Sequence, residues 1–310
     1  MPGDVLMVQL EYLVALARER HFGQAAHACN VSQPTLSVAI RRLERALGVV
    51  IVHRGRRFDG FTAEGLRVLA WAHRILAERD ELLTDVDRMR GSLTATARIG
   101  AIPTSVPASP LLTQTFLTEN PAASIRVEAL SSREIAGRLA YFEIDAGLTY
   151  LDYETPPGYR RVELYEERYV LIARASDPPV RDPEVSWAQA AALRLCALTP
   201  AMRNRRIIDT YMAAEGAQCR PVVEADTVGA LYAHLKGLQL ATIASTAWLP
   251  AFGVPEGMTV RPMASHGPGP LIGLILRNRE QQTIIGDALE AAASELNFDD
   301  VFNKALAQWI

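Results

Sequence analysis

The chain has 310 residues, about half of them apolar, which is enough for two domains that each bury a core. Its formal net charge of −3 hides an asymmetry: between Arg18 and Arg67 nine arginines stand against Glu19, Glu44, Asp59 and Glu64, a local balance of +5, and the remaining chain is net acidic. A basic N-terminal block on a weakly acidic body points to one part that meets a polyanion and another that does not. Cys29, Cys196 and Cys219 are too few and too scattered for a disulfide framework or a zinc site. No apolar run approaches the roughly 18 residues of a membrane span, and no basic-then-apolar leader opens the chain, so a soluble, unexported protein of the cytoplasm is expected, with no cofactor and no metal.

Leu6 to Glu19 repeats apolar residues at helical spacing, and Gly23 to Cys29 reads as a short alanine-rich second helix. The stretch "VSQPTLSVAIRRLERALGV" then predicts a third. Leu36, Ile40, Leu43 and Leu47 form one stripe at about 100° per residue, Ser32 suits the N-cap, Pro34 the first turn and Gly48 the end. The opposite face carries Pro34, Thr35, Ser37 and Val38 near the helix start and Arg41, Arg42 and Arg45 further along. Small donor and acceptor groups at one end, with arginines behind them, are what a helix needs to read base edges in a major groove while gripping phosphates. A surface helix with a solvated charged face would look the same in isolation. The next segment tips the balance: β-branched Val49 to Val52, a basic tip "HRGRR" and Phe58 to Thr62 read as a two-stranded wing.

On "FGQAAHACNVSQPTLSVAIRRLERALGVVIVHRGRR" and the following Phe61-Thr62-Ala63-Glu64-Gly65, the sequence resembles the LysR-type transcriptional regulators, and length and domain order match over nearly the whole chain. The resemblance implies that Ser32, Gln33, Pro34, Thr35 and Ser37 lie at the DNA-reading end of the helix and that Arg54 is the wing-proximal arginine; by position alone, Val38, Arg41 and Arg42 lie along the outward face and Arg56 in the wing. Val38 departs from the family, which usually has a basic residue there; the valine either touches a thymine methyl or is simply exposed. The implied fold is an α+β winged helix-turn-helix domain (residues 1–61) and a long linker helix (62–91), followed by a two-lobed α/β effector domain like the periplasmic binding proteins (92–310). Lobe I then takes residues 92–165 and 270–310, and lobe II residues 166–269. The implied partners are double-stranded DNA bearing an inverted repeat, a second copy of the chain, a tetramer beyond that, and RNA polymerase.

Thr62 is placed to cap the long helix, whose apolar side carries Leu66, Leu69, Ile75, Leu76, Leu83, Val86 and Met89. A small domain cannot cover so long a stripe, and the seam Leu69, Leu76, Leu83 is expected to meet a second copy. From Thr94 apolar strand patterns alternate with helical ones: "ARIGAI", "SIRVEAL", "IDAGLTY", "YVLIARA", "LRLCALT", "QLATIAS" and "PLIGLILR". Hydroxyls follow three of these strands, where an α/β sheet leaves its crevice. Thr104, Ser105, Ser131, Ser132 and Thr199 are therefore the expected contacts for a small polar or anionic effector. Each also has a local explanation, Ser131 with Glu134 as a capping box above all, and Arg205 and Arg206 read as solvated or ion-paired.

Two other functions compete with this reading. An enzyme would need paired carboxylates, a nucleophile elbow or metal-spaced histidines; the six histidines form no HxxxH or HExxH spacing and neither Ser105 nor Ser131 is flanked by glycine. A redox-switched regulator is the second alternative, since one branch of the family senses peroxide through a cysteine pair. That branch carries its reactive cysteine beyond the strand, near a helix start, whereas Cys196 falls inside "LRLCALT" and Cys219 lies more than a helix away. More finely, "IGAIPTSVPASPLL", "LSSREI", "FEIDAGLTYLD" and "LTPAMRNRRI" resemble the LysR-type regulators encoded beside formate dehydrogenase genes.

Overall fold

The computed structural model describes residues 4–53, 58–91, 93–152, 158–278 and 283–310. They form two compact units, Met1–Ser92 with Ala140–Glu143, and Leu93–Leu139 with Ile144–Ile310.

The first unit is helical: α1 (Met7–Glu19), α2 (Phe22–Ala28), α3 (Gln33–Leu47) and α4 (Ala63–Met89). The stripe of α3 decides its orientation. Leu36, Ile40 and Leu43 are buried against Leu13 and Leu16 of α1 and Ala25 of α2, so the arginine-bearing face is left outside. Ser32 accepts the Thr35 amide at 3.2 Å, Pro34 sits in the first turn, and Gly48 ends the helix at φ +68°. After α3 the described residues show one antiparallel bridge, Val52 with Phe61, supported by His53 N donating to Gly60 O at 3.0 Å. The tip between them, including Arg54 and Arg56, lies outside the described residues. Gly65 in the first turn of α4 is required by close approach, because a Cβ there would stand 2.0 Å from the Ile51 carbonyl oxygen.

The 27 residues of α4 extend about 40 Å at 1.5 Å per residue. The expected seam is corrected here. Leu69 is buried and Leu76 half-buried in the core of their own unit, and Arg79 pairs with Glu11 to hold α4 on α1. The large apolar side chains of α4 left in solvent are Leu66 at its start and, further along, Trp71 (60 % exposed), Ile75, Leu82 (63 %), Leu83 and Met89. Self-packing thus persists for about four turns, and the unpartnered seam is rotated from the expected one.

The second unit runs β1 (Thr96–Ala101), α5 (Ser109–Glu119), β2 (Ser124–Ala129), α6 (Ser132–Ala140), β3 (Ala146–Tyr150), β4 (Arg160–Glu166), β5 (Tyr169–Arg174), α7 (Trp187–Ala191), β6 (Cys196–Leu198) and α8 (Arg203–Ala214). It continues with β7 (Val223–Ala225), α9 (Val228–Leu238), β8 (Thr242–Ser245), α10 (Leu249–Phe252), β9 (Met258–Pro262), β10 (Leu271–Leu276), α11 (Ile284–Ser294) and α12 (Phe298–Ala307). Five strands form one sheet in the order β2-β1-β3-β10-β4; β1 pairs in parallel with β2 and β3, and β10 is antiparallel to β3 and β4. Strands β8-β5-β9 form an antiparallel second sheet, and β6 pairs in parallel with β7 beside it. The chain crosses between the sheets twice, at residues 167–168 and 263–270. The strands β4, β7 and β9 escape the sequence reading. Edge strand β4, "RRVELYE", alternates exposure along its length and shows no apolar run, and β7 spans three residues. Among the described residues no helix is long and apolar enough to cross a membrane.

Candidate functional site

Two constellations emerge. On α3 the residues at positions 32–35, 38, 41, 42 and 45 are exposed and Ser37 is partly so. Ser32 Oγ and Thr35 Oγ1 lie 2.8 Å apart, so both hydroxyls take part in starting the helix while remaining at its open end. Val38, 40 % exposed, is at the centre of the outward face. Arg41 and Arg45 each reach back to the carbonyl one turn before, at 3.3 and 3.4 Å, and no described carboxylate pairs with Arg41, Arg42 or Arg45. Glu44, the acid among them, is already engaged: its carboxylate accepts the Ile51 and Val52 amides at 2.8 and 3.2 Å. The face thus presents small polar groups, one apolar side chain and a file of uncompensated guanidinium groups.

The second constellation is a cavity of about 320 Å³ in the second unit. Thr104 comes to it from the loop after β1, Ser131, Ser132 and Arg133 from the start of α6, Tyr150 from the end of β3, and Arg203, Asn204 and Arg206 from the start of α8. The two helix starts differ. At α6 the capping box is formed, with Glu134 Oε2 accepting both the amide and the hydroxyl of Ser131 at 2.8 Å, and these bonds hold the Glu134 carboxyl below its usual pKa. At α8 the N-cap is Met202, which offers no side-chain acceptor, so first-turn amides point outward with the positive end of the helix dipole. Arg203 lies over the Tyr150 ring, 4.5 Å from its centroid. Thr149 donates to Ser132 Oγ at 2.9 Å, and the buried Thr104 Oγ1 makes no well-formed hydrogen bond. Among the described residues three arginines line this space and no carboxylate does.

Ser105 and Thr199 do not line the cavity, a correction to the expected effector contacts. Ser105 is fully buried and its hydroxyl accepts the Tyr165 phenol at 3.2 Å. Thr199 continues the β6 register, its amide donating to Ala225 O and its carbonyl accepting the Met202 amide, both at 2.9 Å; α8 begins only four residues later. The sequence reading missed Tyr150, Arg203, Asn204 and Arg206 as lining residues, although the basic run after "LRLCALT" carried the signal. Arg205, within that run, is buried and tied to Asp209 and Glu224 at 2.9 and 2.8 Å, so it fastens α8 to β7.

Cys196 and Cys219 border a separate small space, and neither lines the 320 Å³ cavity. Burial pushes the Cys196 thiol up to about 11 and raises Cys219 and Cys29 in the same direction. Among the described residues no group of three or more His, Cys, Asp or Glu could hold a metal ion.

Comparison with known proteins places both parts of the chain in one family. Residues 7–66 match the bacterial regulatory helix-turn-helix proteins of the lysR family, and residues 90–295 match the LysR substrate binding domain. The DNA-binding transcriptional dual regulator OxyR of Escherichia coli K12 is 29 % identical over 322 aligned positions, covering 96 % of this chain and 98 % of that protein. A hydrogen peroxide-inducible genes activator of Pectobacterium carotovorum is 31 % identical over 194 positions, 61 % of this chain and 63 % of its own. Among solved structures, a full-length OxyR variant from Pseudomonas aeruginosa shares the fold with a TM-score of 0.73 at 22 % identity, over 96 % of this chain and 97 % of that one. Full-length CbnR bound to its target DNA shares it with a TM-score of 0.66 at 21 % identity, over 94 % and 99 %.

Proposed function

Given that the chain belongs to the LysR family of transcriptional regulators, we propose that it reads operator DNA with α3 and is switched by a small anion held in the cavity between the β1, α6 and α8 ends. The observation that carries the effector reading is charge: Arg133, Arg203 and Arg206 and an uncapped helix start surround a space that, among the described residues, no carboxylate borders. Such a site stabilises an anion through amides, hydroxyls and guanidinium groups together. Thr104, Ser131 and Ser132 supply the hydroxyls. On the DNA side, Gln33, Thr35 and Ser37 set base preference, Arg41, Arg42, Arg54 and Arg56 hold phosphates, and Ser32 and Pro34 fix the helix start.

Two copies paired through the exposed seam of α4 would present two such helices to an inverted repeat. Tetramers and contact with RNA polymerase are family-level extensions of this reading. The finer likeness to regulators encoded beside formate dehydrogenase genes makes formate a ligand to include in a screen. A cavity of about 320 Å³ also has room for larger carboxylates. The test is calorimetry of the full-length protein with a panel of carboxylates and oxyanions, wild type against Arg203→Ala and Ser132→Ala. Binding that is weakened in both variants supports the assignment; an anion that binds all three proteins equally removes it.

The thiols argue against carrying over a peroxide response from the relatives named above. All three are held toward the protonated, unreactive form by burial, and the two in the second unit stand apart from the cavity.

A further inference from the structure

We propose that Glu167 is the positioning residue of the effector domain, a hinge carboxyl that orients the cavity residues Tyr150 and Arg203 and ties them to the second sheet. This deepens the anion-site reading and rests on it for its biological meaning. The first support is location. Strand β4 ends at Glu166 and β5 begins at Tyr169, so Glu167 lies in one of the two crossings between the sheets. Its amide donates to Pro270 O in the other crossing at 2.8 Å. The crossings are pressed together: a Cβ at Gly269 would stand 2.2 Å from the Glu167 carbonyl oxygen.

The second support is the side chain's own contacts. Glu167 is 1 % exposed, and one of its oxygens, Oε2, accepts two phenols, Tyr150 at 3.0 Å and Tyr169 at 2.6 Å. Tyr150 ends β3 of the first sheet and carries the Arg203 guanidinium on its ring; Tyr169 opens β5 of the second sheet. Asn204 of α8 reaches the Tyr169 hydroxyl at 3.5 Å. One carboxyl therefore connects a cavity wall, the neighbouring sheet and the first turn of the helix that faces the ligand space. Removing it would take away one hydrogen bond that holds the Tyr150 phenol, and so loosen the ring on which Arg203 rests.

The third support is electrostatic. The groups facing this carboxyl are Tyr150 from β3, Tyr165 from β4, Tyr169 from β5, Asn204 and Tyr211 from α8, and Ser245 from β8. Glu166, its neighbour, turns away to accept the Gly269 amide. Arg203 meets Tyr150 through the ring, and among the described residues no cation stands in ion-pair range of Glu167. Its Oε1 is buried and makes no well-formed hydrogen bond. Burial accordingly raises its pKa above the usual carboxylate value, and hydrogen bonds from Tyr169 and Tyr150 offset only part of that. The sign follows: a raised pKa means the ordered hinge favours the protonated acid, so its stabilisation is complete at low pH and is lost as pH rises through the raised value.

Hydrogen exchange on the full-length protein, without ligand and across pH, tests this, with protection corrected for the intrinsic rate at each pH. In the wild type, protection of residues 166–169, 268–271 and the first turn of α8 should fall as pH rises. Glu167→Gln is uncharged at every pH and keeps an acceptor for the phenols, so it should stay flat at the wild type's low-pH level. Tyr150→Phe keeps the ring but loses one hydrogen bond, and should lose protection about three- to tenfold in the first turn of α8 ahead of the rest of the domain. Glu167→Gln following the wild type at every pH, or a Tyr150→Phe loss spread evenly over the domain, overturns the proposal. If Tyr150→Phe does not fold, the pH comparison with Glu167→Gln decides alone. Because no ligand is present, a failed anion screen leaves this test standing.

Discussion

Arg41 and Arg42 stand on α3 without a carboxylate beside them, whereas Glu44 is occupied by the backbone of Ile51 and Val52. Cations left uncompensated in this way release counterions from a polyanion, so Arg41→Ala or Arg42→Ala should weaken binding to all DNA sequences. Each should reduce the slope of log affinity against log salt by about one unit. Fluorescence anisotropy at several salt concentrations measures it, and an unchanged slope in both variants would reject the phosphate role. At Cys196 the pKa near 11 keeps the thiol protonated at neutral pH. Iodoacetamide should therefore label it only on unfolding, and hydrogen peroxide should leave DNA affinity unchanged; loss of affinity that is restored by a thiol reductant would reinstate the redox alternative. Single residues also show what a sequence conceals. Ser131 and Glu134 spell out their capping box, but Ser105 and Ser131 follow their strands in similar contexts, and only the packing of Tyr165 reveals that Ser105 is buried.

The helices of the first unit were legible because each has a one-sided apolar period and local punctuation. The cap at Ser32, the stop at Gly48 and the cap at Thr62 fall where the residue types place them. What a period cannot supply is the identity of the neighbour. The repeat on α4 includes Leu69 and Leu76, which pack at home, while Ile75 and Leu82 do not. Ile75→Glu and Leu82→Glu should therefore dissociate dimers in sedimentation experiments without lowering the melting temperature of the monomer, whereas Leu76→Glu should destabilise the helix-turn-helix core itself. If Leu76→Glu dissociates a fully folded protein, the seam runs through Leu69, Leu76 and Leu83 instead. Leu36→Ala, at a fully buried site, should cost roughly 2–5 kcal/mol. Strand β4 illustrates the opposite limit: an edge strand with one wet face carries Arg161 and Glu163 in positions that read as loop.

Across the whole chain the division of charge was the most informative single property, since it separated the basic helix-turn-helix unit from the net acidic unit that contains the cavity. The cavity was legible only as strand ends bearing hydroxyls. Two of its three arginines, Arg203 and Arg206, come from a helix start whose register, beginning at Arg203 and not at Thr199, depends on where β6 stops pairing with β7. A ligand alters DNA binding only if it prefers one arrangement of the effector domain over another, and couplings of 1–3 kcal/mol are typical. The account therefore stands on linkage between cavity and α3. The most direct measurement is anisotropy titration of full-length protein onto DNA selected from genomic fragments, with and without a saturating anion from the calorimetric panel, for wild type and Arg203→Ala. The account predicts a change of about five- to 150-fold in affinity for wild type, and none for Arg203→Ala at the same anion concentration. An anion that occupies the cavity yet leaves the wild-type DNA isotherm unchanged, or that shifts both proteins equally, would contradict it.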